Sequence, residues 1–347
     1  MSRSQLTSTV EQNTGGAVSP YVAGKNKIIN GDFGIWQRGT SFSNPTSTAS
    51  SYIADRWNAY RSGFTAGITT TRQSSGLTGF QYNVRVQRNS GDTSTAVLTL
   101  QQSLETATSV PLANQSVTIS FYARAGANYS ATSNQLSFIV TTGTGTDQSN
   151  VGGYTGSATP ISSTATLTTS WQRFSATASL SSATNEISVG FFANPVGTAG
   201  VNDYFEVTGV QLEAGSVATP FTTATGTLSG ELVACQRYYW RLNGSDVSGS
   251  TIANICNGYV ESSTVITGIY NFPIQMRIPP SIAGGASTNF IALGGGSFHY
   301  PATLSTQAIS KINARISLTQ TSLTAYQAGA LLMSYNATDY LEHSAEL

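Results

Sequence analysis

In QYNVRVQR (residues 81–88) the side chains of Tyr82, Val84 and Val86 point one way and those of Asn83, Arg85 and Gln87 the other. That is the period-2 alternation of a half-buried β-strand. The same reading holds downstream, in AVLTLQQSL (96–104), SVTISFYARA (116–125), QLSFIVTT (135–142), WQRFSATASL (171–180), EISVGFFA (186–193) and YFEVTGVQLEAG (204–215). Gly, Ser, Thr and Asn turns separate these runs at intervals typical of a sandwich. Antiparallel strands this short bury one face against a second sheet. An all-β jelly-roll β-sandwich over 26–221 is therefore expected.

Around that core the organisation is uneven. Residues 1–25 lack periodicity and contain Gly15, Gly16, Pro20 and Gly24; they read as an N-terminal attachment arm. TTATGTLSG (222–230) reads as a flexible linker by composition. In ELVACQRYYWRL (231–242), Leu232, Cys235, Tyr239 and Leu242 follow i, i+3, i+7, i+10 spacing, which favours a short helix over a bent edge strand. IANICNGYV, STVITGIYNFPI, ISKINARISLT and AGALLMSYNATDYL then restore the β pattern, so a smaller C-terminal β domain is expected over 231–347. No repeat of 20 to 50 residues is visible, which disfavours solenoids and propellers.

Composition narrows the partners. The 347 residues carry 16 basic and 16 acidic side chains, a net charge of zero, and only 9% are charged, against roughly 25% in an ordinary domain. A chain without a basic stripe has no footprint for nucleic-acid phosphates. No run reaches the roughly 18 apolar residues of a membrane span, and MSRSQLTSTVEQNTGG is polar where a signal peptide is apolar. A soluble protein with neither nucleic-acid nor membrane partners is expected. Only Lys25, Lys27 and Lys311 are lysines, against thirteen arginines, a bias that suits a surface used in assembly and equally a bias of codon usage.

The catalytic inventory is thin. His299 and His343 have no Ser, Cys or Asp at a recognised catalytic spacing and read as surface or turn residues. Cys235 and Cys256 fit neither a metal knuckle nor a disulfide framework and read as small buried hydrophobes. Of the carboxylates, Asp32, Asp55, Glu206 and Glu213 are the candidates for a hydrolytic pair. Glu206 and Glu213, seven apart on one strand, are expected on opposite faces. LGGGSF (293–298) lacks the Lys and Ser/Thr of a phosphate loop and reads as a turn. Among the tryptophans, Trp36 and Trp57 lie in apolar clusters with Phe33. Core packing is the commoner reading for both, with an exposed glycan-stacking platform as the alternative. No catalytic residue and no cofactor are expected.

Two segments carry a family resemblance. NKIINGDFGIWQRGTSF (26–42) with YIADRW (52–57), and VTGVQLEAGSVATPF (207–221) with ELVACQRYYW (231–240), resemble in that order the opening and the crossover of tailed-bacteriophage virion structural or tail fibre proteins. The resemblance runs from residue 26 to about 280. It departs at TTATGTLSG, where the family usually has an arginine and proline-tyrosine-glycine connection. It implies a non-enzymatic protein of the phage particle, made in the bacterial cytoplasm, that joins other virion proteins and contacts a host-surface glycan or receptor. A head decoration, cement or capsid fibre role is the alternative position, and a glycan-binding receptor-recognition module the alternative function. NGDF and FEVTGVQLE are also similar to carbohydrate-binding jelly rolls whose adjacent strands hold structural calcium. Carried over, that would make Asn30, Asp32, Glu206 and Glu213 oxygen ligands, although such side chains also cap backbone groups. Members are commonly trimers. Arg237, Tyr238, Tyr239, Trp240 and Arg241, residue types enriched in interface hot spots, mark an expected homotrimer interface, with packing inside the chain as the alternative.

Overall fold

The computed structural model describes residues 23–43, 51–64, 67–244, 252–284, 290–334 and 339–347. The segment read as an attachment arm lies outside these residues except for its last three. The chain divides into two compact units, one ending at Leu232 and the other spanning Val233–Glu346.

The first unit is a sandwich of two six-stranded antiparallel sheets. In the first sheet the order is β1 (Ser41–Ser43), β4 (Ile68–Ser74), β5 (Tyr82–Arg88), β12 (Tyr204–Ala214), β7 (Ser116–Ala125) and β10 (Gln172–Ser179). In the second it is β2 (Ser51–Tyr52), β3 (Asn58–Arg61), β6 (Leu98–Ser103), β11 (Glu186–Ala193), β8 (Gln135–Gly143) and β9 (Ala158–Thr166). The alternation read in the sequence becomes the core. Val84 and Val86 of β5, Ile119 and Phe121 of β7, and Val189 and Phe191 of β11 are all fully buried. Phe121 joins the two sheets, meeting Phe138 at 4.9 Å and Phe191 at 4.8 Å edge-on, the geometry favoured by aromatic quadrupoles. At one end Arg88, itself buried, donates to Asp203 at 2.9 Å and to the carbonyls of Asp92, Ser94 and Gly197 at 2.8, 3.0 and 2.9 Å. One guanidinium thus satisfies three loop carbonyls.

β12 lies in the centre of the first sheet, and it is bulged. Thr208 stands opposite Tyr122, whereas Gln211 stands opposite Ser120, so one extra residue enters β12. Gly209 supplies it at φ +62°, a conformation that a side chain would strain. A Cβ there would also lie 2.7 Å from the Phe80 ring. The bulge resets the alternation: Phe205 and Val207 before it and Val210 and Leu212 after it all face the core. It also overturns the expectation for Glu206 and Glu213. They stand opposite Arg124 and Thr118 of β7, an even number of residues apart, so both leave the sheet by the same outer face.

The stretch 222–230, read as a flexible linker, is tied down. Asn26 donates to the Thr222 carbonyl at 3.0 Å, and Glu231 accepts from the Thr225 N–H at 2.8 Å and the Asn30 N–H at 2.8 Å. Composition reports backbone freedom but not the partners that remove it. A helix, Leu228–Gln236, opens inside this stretch, where Thr227 Oγ1 accepts the Gly230 N–H at 3.0 Å as an N-cap. The helix expected over 231–242 is thus shifted. Tyr239 and Leu242 lie on β13 (Tyr239–Asn243), in agreement with the β preference of consecutive aromatic residues.

The second unit combines a closed six-stranded barrel with a three-stranded sheet. The barrel order is β14 (Ile252–Ser262), β15 (Val265–Asn271), β19 (Asn313–Thr319), β18 (Ser297–Ile309), β17 (Phe290–Gly294) and β20 (Ala328–Ser334). The sheet is β13, β21 (Tyr340–Ser344) and β16 (Ser281–Gly284). Gly294, Gly295 and Gly296 make the β17–β18 turn, the last two at φ +60° and +81°, as LGGGSF suggests. His343, read as a terminal surface residue, is instead fully buried on β21. Cys235 and Cys256 are buried and form no disulfide.

Candidate functional site

The outer face of the second sheet is the most chemically unusual surface of the sandwich. Residues that alternate away from the core form three rows across it. Ser103, Ser188 and Thr141 stand opposite one another in the first. Asn58, Gln101, Gly190, Ile139 and Ser162 form the second, and Tyr60, Thr99, Phe192, Ser137 and Thr164 the third. Glu186 continues the Ser188 side of β11, opposite Gly143.

Apart from Ser137, Ser162 and Thr164 towards the β9 edge, these polar side chains point away from the core and yet are covered. Gln101 is 2% exposed and Glu186 0%. Gln101 Nε2 and Glu186 Oε2 have no hydrogen-bond partner, although the other Glu186 oxygen accepts the Gln148 N–H. A buried polar atom left unpaired costs about 1–3 kcal/mol. The Tyr154 hydroxyl, pushed up to about 12 by burial, lies in the same corner with Ser103, Ser188, Glu186 and Arg56. Burial likewise raises Tyr60, whose hydroxyl meets Thr99. The loop that shapes this corner is fixed to the sheet, with the Asn150 N–H donating to Ser103 Oγ at 3.1 Å and the Thr106 N–H to Asp147 at 2.9 Å.

Gly190 sets the middle of the face. A Cβ there would lie 2.8 Å from the Phe192 ring, so the missing side chain lets that ring lie over the strand beside Gln101. Phe192, Tyr60 and Ile139 are each part-exposed. The result is an aromatic and aliphatic surface laid over a polar floor with unused hydrogen-bonding capacity. Such a surface can stack on an apolar ring face and bond hydroxyls at its edges. Glu186 is the one carboxylate in these rows, where glycoside hydrolysis takes two.

The site residues expected from the sequence lie elsewhere. Trp36 and Trp57 are 8% and 0% exposed, so the platform alternative is corrected to core for both. Trp36 Nε1–H donates to the Phe33 carbonyl at 2.7 Å and Trp57 Nε1–H to the Asn30 carbonyl at 2.9 Å. The calcium set is likewise spent on protein partners. The Asn30 amide donates to the Ile35 and Asp55 carbonyls at 2.9 and 3.0 Å, and Asp32, raised by burial, accepts the Gly34 N–H. Glu206 is held by Arg85 at 2.7 Å and Arg124 at 2.5 Å. Burial opposes ionisation of Glu213, yet Thr219, Gln211 and Lys25 hold its carboxyl below the usual range. Glu206 and Glu213, opposite residues six apart on β7, are separated by about 20 Å. Among the described residues no three of His, Cys, Asp and Glu cluster as metal ligands, and the four residues do not fit a calcium ion.

The expected trimer residues are also engaged inside the second unit. Tyr238 and Tyr239 are 3% and 1% exposed, which removes them from any outer surface. Tyr239 donates to Glu342 at 2.7 Å, Trp240 stacks on His343 at 4.6 Å, and Arg241 lies 3.9 Å from the Tyr340 ring. Arg237 offers its carbonyl to the Arg277 N–H at 2.8 Å. The aromatic run that resembles an interface is largely the packing of its own unit.

No family model and no curated protein matches the chain. Solved structures similar to it include carbohydrate-binding modules and a phage tailspike domain. The enzymatically active domain of bacteriophage CBA120 tailspike protein 4 is 12% identical at TM-score 0.34, over 57% of this chain and 22% of that one. A CBM4 structure is 16% identical at 0.33, over 54% and 98%. TmCBM61 in complex with β-1,4-galactotriose is 14% identical at 0.32, over 55% and 99%. At TM-scores this low the likeness says nothing of function.

Proposed function

We propose that the first unit is a non-enzymatic glycan-binding module and that it serves a structural protein of a phage particle, foremost a tail fibre component. The observation that carries the binding role is the outer face of the second sheet, where Gln101 Nε2 and Glu186 Oε2 lie buried without partners beside part-exposed Phe192 and Tyr60. A sugar would stack on the rings, and rotation of the Gln101 and Glu186 side chains towards the face would bring their unpaired atoms within reach of its hydroxyls. The single carboxylate of the rows favours binding over hydrolysis. The virion role is supported by the paired resemblance of residues 26–57 and 207–240. Assembly as a homotrimer with other virion proteins, and a head decoration position, rest on that resemblance as well.

The test is a glycan array probed with the full chain. Binding to neutral oligosaccharides is expected, and Phe192→Ala should weaken it at least about fivefold, given that stacking of one ring is worth about 1–3 kcal/mol. Gln101→Met, similar in bulk, should weaken it less. An array with no bound glycan, or binding unchanged in both variants, would remove this site.

A further inference from the structure

The outer face of the first sheet carries a second, differently built cluster. Trp171, Arg124, Glu206, Arg85 and Tyr204 lie side by side there. The row is fixed by register, since Arg124, Glu206, Arg85 and Thr71 stand opposite one another on β7, β12, β5 and β4. Arg85 puts both Nε and Nη2 on Glu206 Oε1, at 2.8 and 2.7 Å, and Arg124 Nε takes Oε2 at 2.5 Å. Each guanidinium is backed by a ring, Arg85 by Tyr204 at 3.8 Å and Arg124 by Trp171 at 4.7 Å. One strand position further along, Arg173 stands opposite Tyr122 and is exposed.

Charge is scarce in this chain, which makes its placement here informative. Arg85, Arg124 and Arg173 face one fully buried carboxylate, and the neighbouring Lys25 and Glu213 neutralise each other at 3.3 Å. The face therefore keeps an excess of two positive charges on a protein of net charge zero. Both Glu206-bound arginines still show a quarter of their side chains, 23% and 27%. Their rings and shared carboxylate hold the planar forks in place, so little freedom is lost when an anion docks. The backbones of β7 and β5 lie two strand spacings apart, about 10 Å, and from there the two guanidiniums converge on the Glu206 carboxylate between them.

We infer that this face is a second binding site, distinct from the second-sheet face, and that it takes an acidic polysaccharide whose carboxylate or sulfate groups recur along the chain. A nucleic acid fits less well. An excess of two charges is far below the six to ten phosphate contacts that make such binding tight, and the rings are already covered by guanidiniums. The sugar rings of a polyanion would lie along the row while its acid groups take the exposed guanidinium N–H groups.

Binding of the full chain to polygalacturonate, dextran sulfate and neutral dextran tests this, with polyglutamate and a single-stranded oligothymidylate as non-saccharide polyanions. Binding to polygalacturonate or dextran sulfate, falling with added salt, is expected, whereas any binding of dextran should be insensitive to salt and lost in Phe192→Ala; the preferred polymer tells carboxylate from sulfate. Arg173→Gln leaves the Glu206 pairs intact, whereas Thr71→Glu places a competing carboxylate opposite Arg85; each should weaken binding about two- to fivefold. Phe192→Ala, on the other sheet, should leave it unchanged, which separates this site from the one proposed above. No binding to either acidic polysaccharide, no loss in both variants, or equal binding of polyglutamate or the oligonucleotide would overturn the inference.

Discussion

Replacing Trp57 with alanine is expected to cost about 3–5 kcal/mol, the usual penalty for emptying a buried tryptophan site. Trp57 has no exposed surface. Its ring lies 4.8 Å from Phe33 and 6.3 Å from Phe191, so the cavity would open between the loop over residues 28–36 and the second sheet. The change also strips the Asn30 carbonyl of the Trp57 N–H it accepts. In a unit of this size the melting temperature should fall by on the order of 10 °C. Trp57→Phe keeps most of the ring and should lose less. An unchanged melt together with lost sugar binding would return Trp57 to the role of an exposed platform.

The second large effect is a loss of stability in acid, centred on His343. The imidazole is fully buried on β21 and stacks on Trp240 at 4.6 Å. It stays neutral, with Nδ1–H donating to the Trp240 carbonyl at 3.2 Å and Nε2 accepting from the Tyr270 hydroxyl. Burial lowers its pKa from 6.5 to about 4, only partly offset by the Trp240 carbonyl. The unfolded chain therefore binds the proton more tightly. This contribution is fully present above pH 6.5 and declines as the pH falls towards 4, where about 3 kcal/mol has been lost. Thermal unfolding between pH 7.5 and 4 should show that slope, and His343→Gln, which cannot titrate there, should flatten it. The His343 ring resonance should not move until the pH nears 4. Titration near pH 6.5 in the folded protein would sink the assignment.

The strands and the core were legible because both follow from alternation. Tyr82, Val84 and Val86, or Val189 and Phe191, announce their face within one strand. What lay beyond reach needs two strands at once. Counting alone places Glu206 and Glu213 on opposite faces, and one glycine reverses the result; the glycine inside VTGVQL is the signal for a bulge that the sequence carries. The second-sheet face was missed for a related reason. In EISVGFFA the outward set Glu186, Ser188, Gly190 and Phe192 is odd enough to notice, but only register brings Gln101 and Tyr60 beside it. Trp36 and Trp57 drew attention as single residues, although their apolar neighbours already pointed to the core. His343 looked terminal in the sequence because its pairing with Trp240 depends on a strand a hundred residues away.

The central place of β12 bears on how the chain is made. Strands β5 and β7, its two neighbours, leave the ribosome roughly 80 residues or more before it does, a delay on the order of ten seconds. Throughout that interval each has a bare edge, and the nascent sheet lacks the strand that joins its halves. The first sheet can therefore close only when residues 204–214 have emerged, and the last strand translated in the sandwich becomes the first that its centre requires. Premature release or a stalled ribosome before that point would leave two open edges, the form in which β-proteins most readily aggregate.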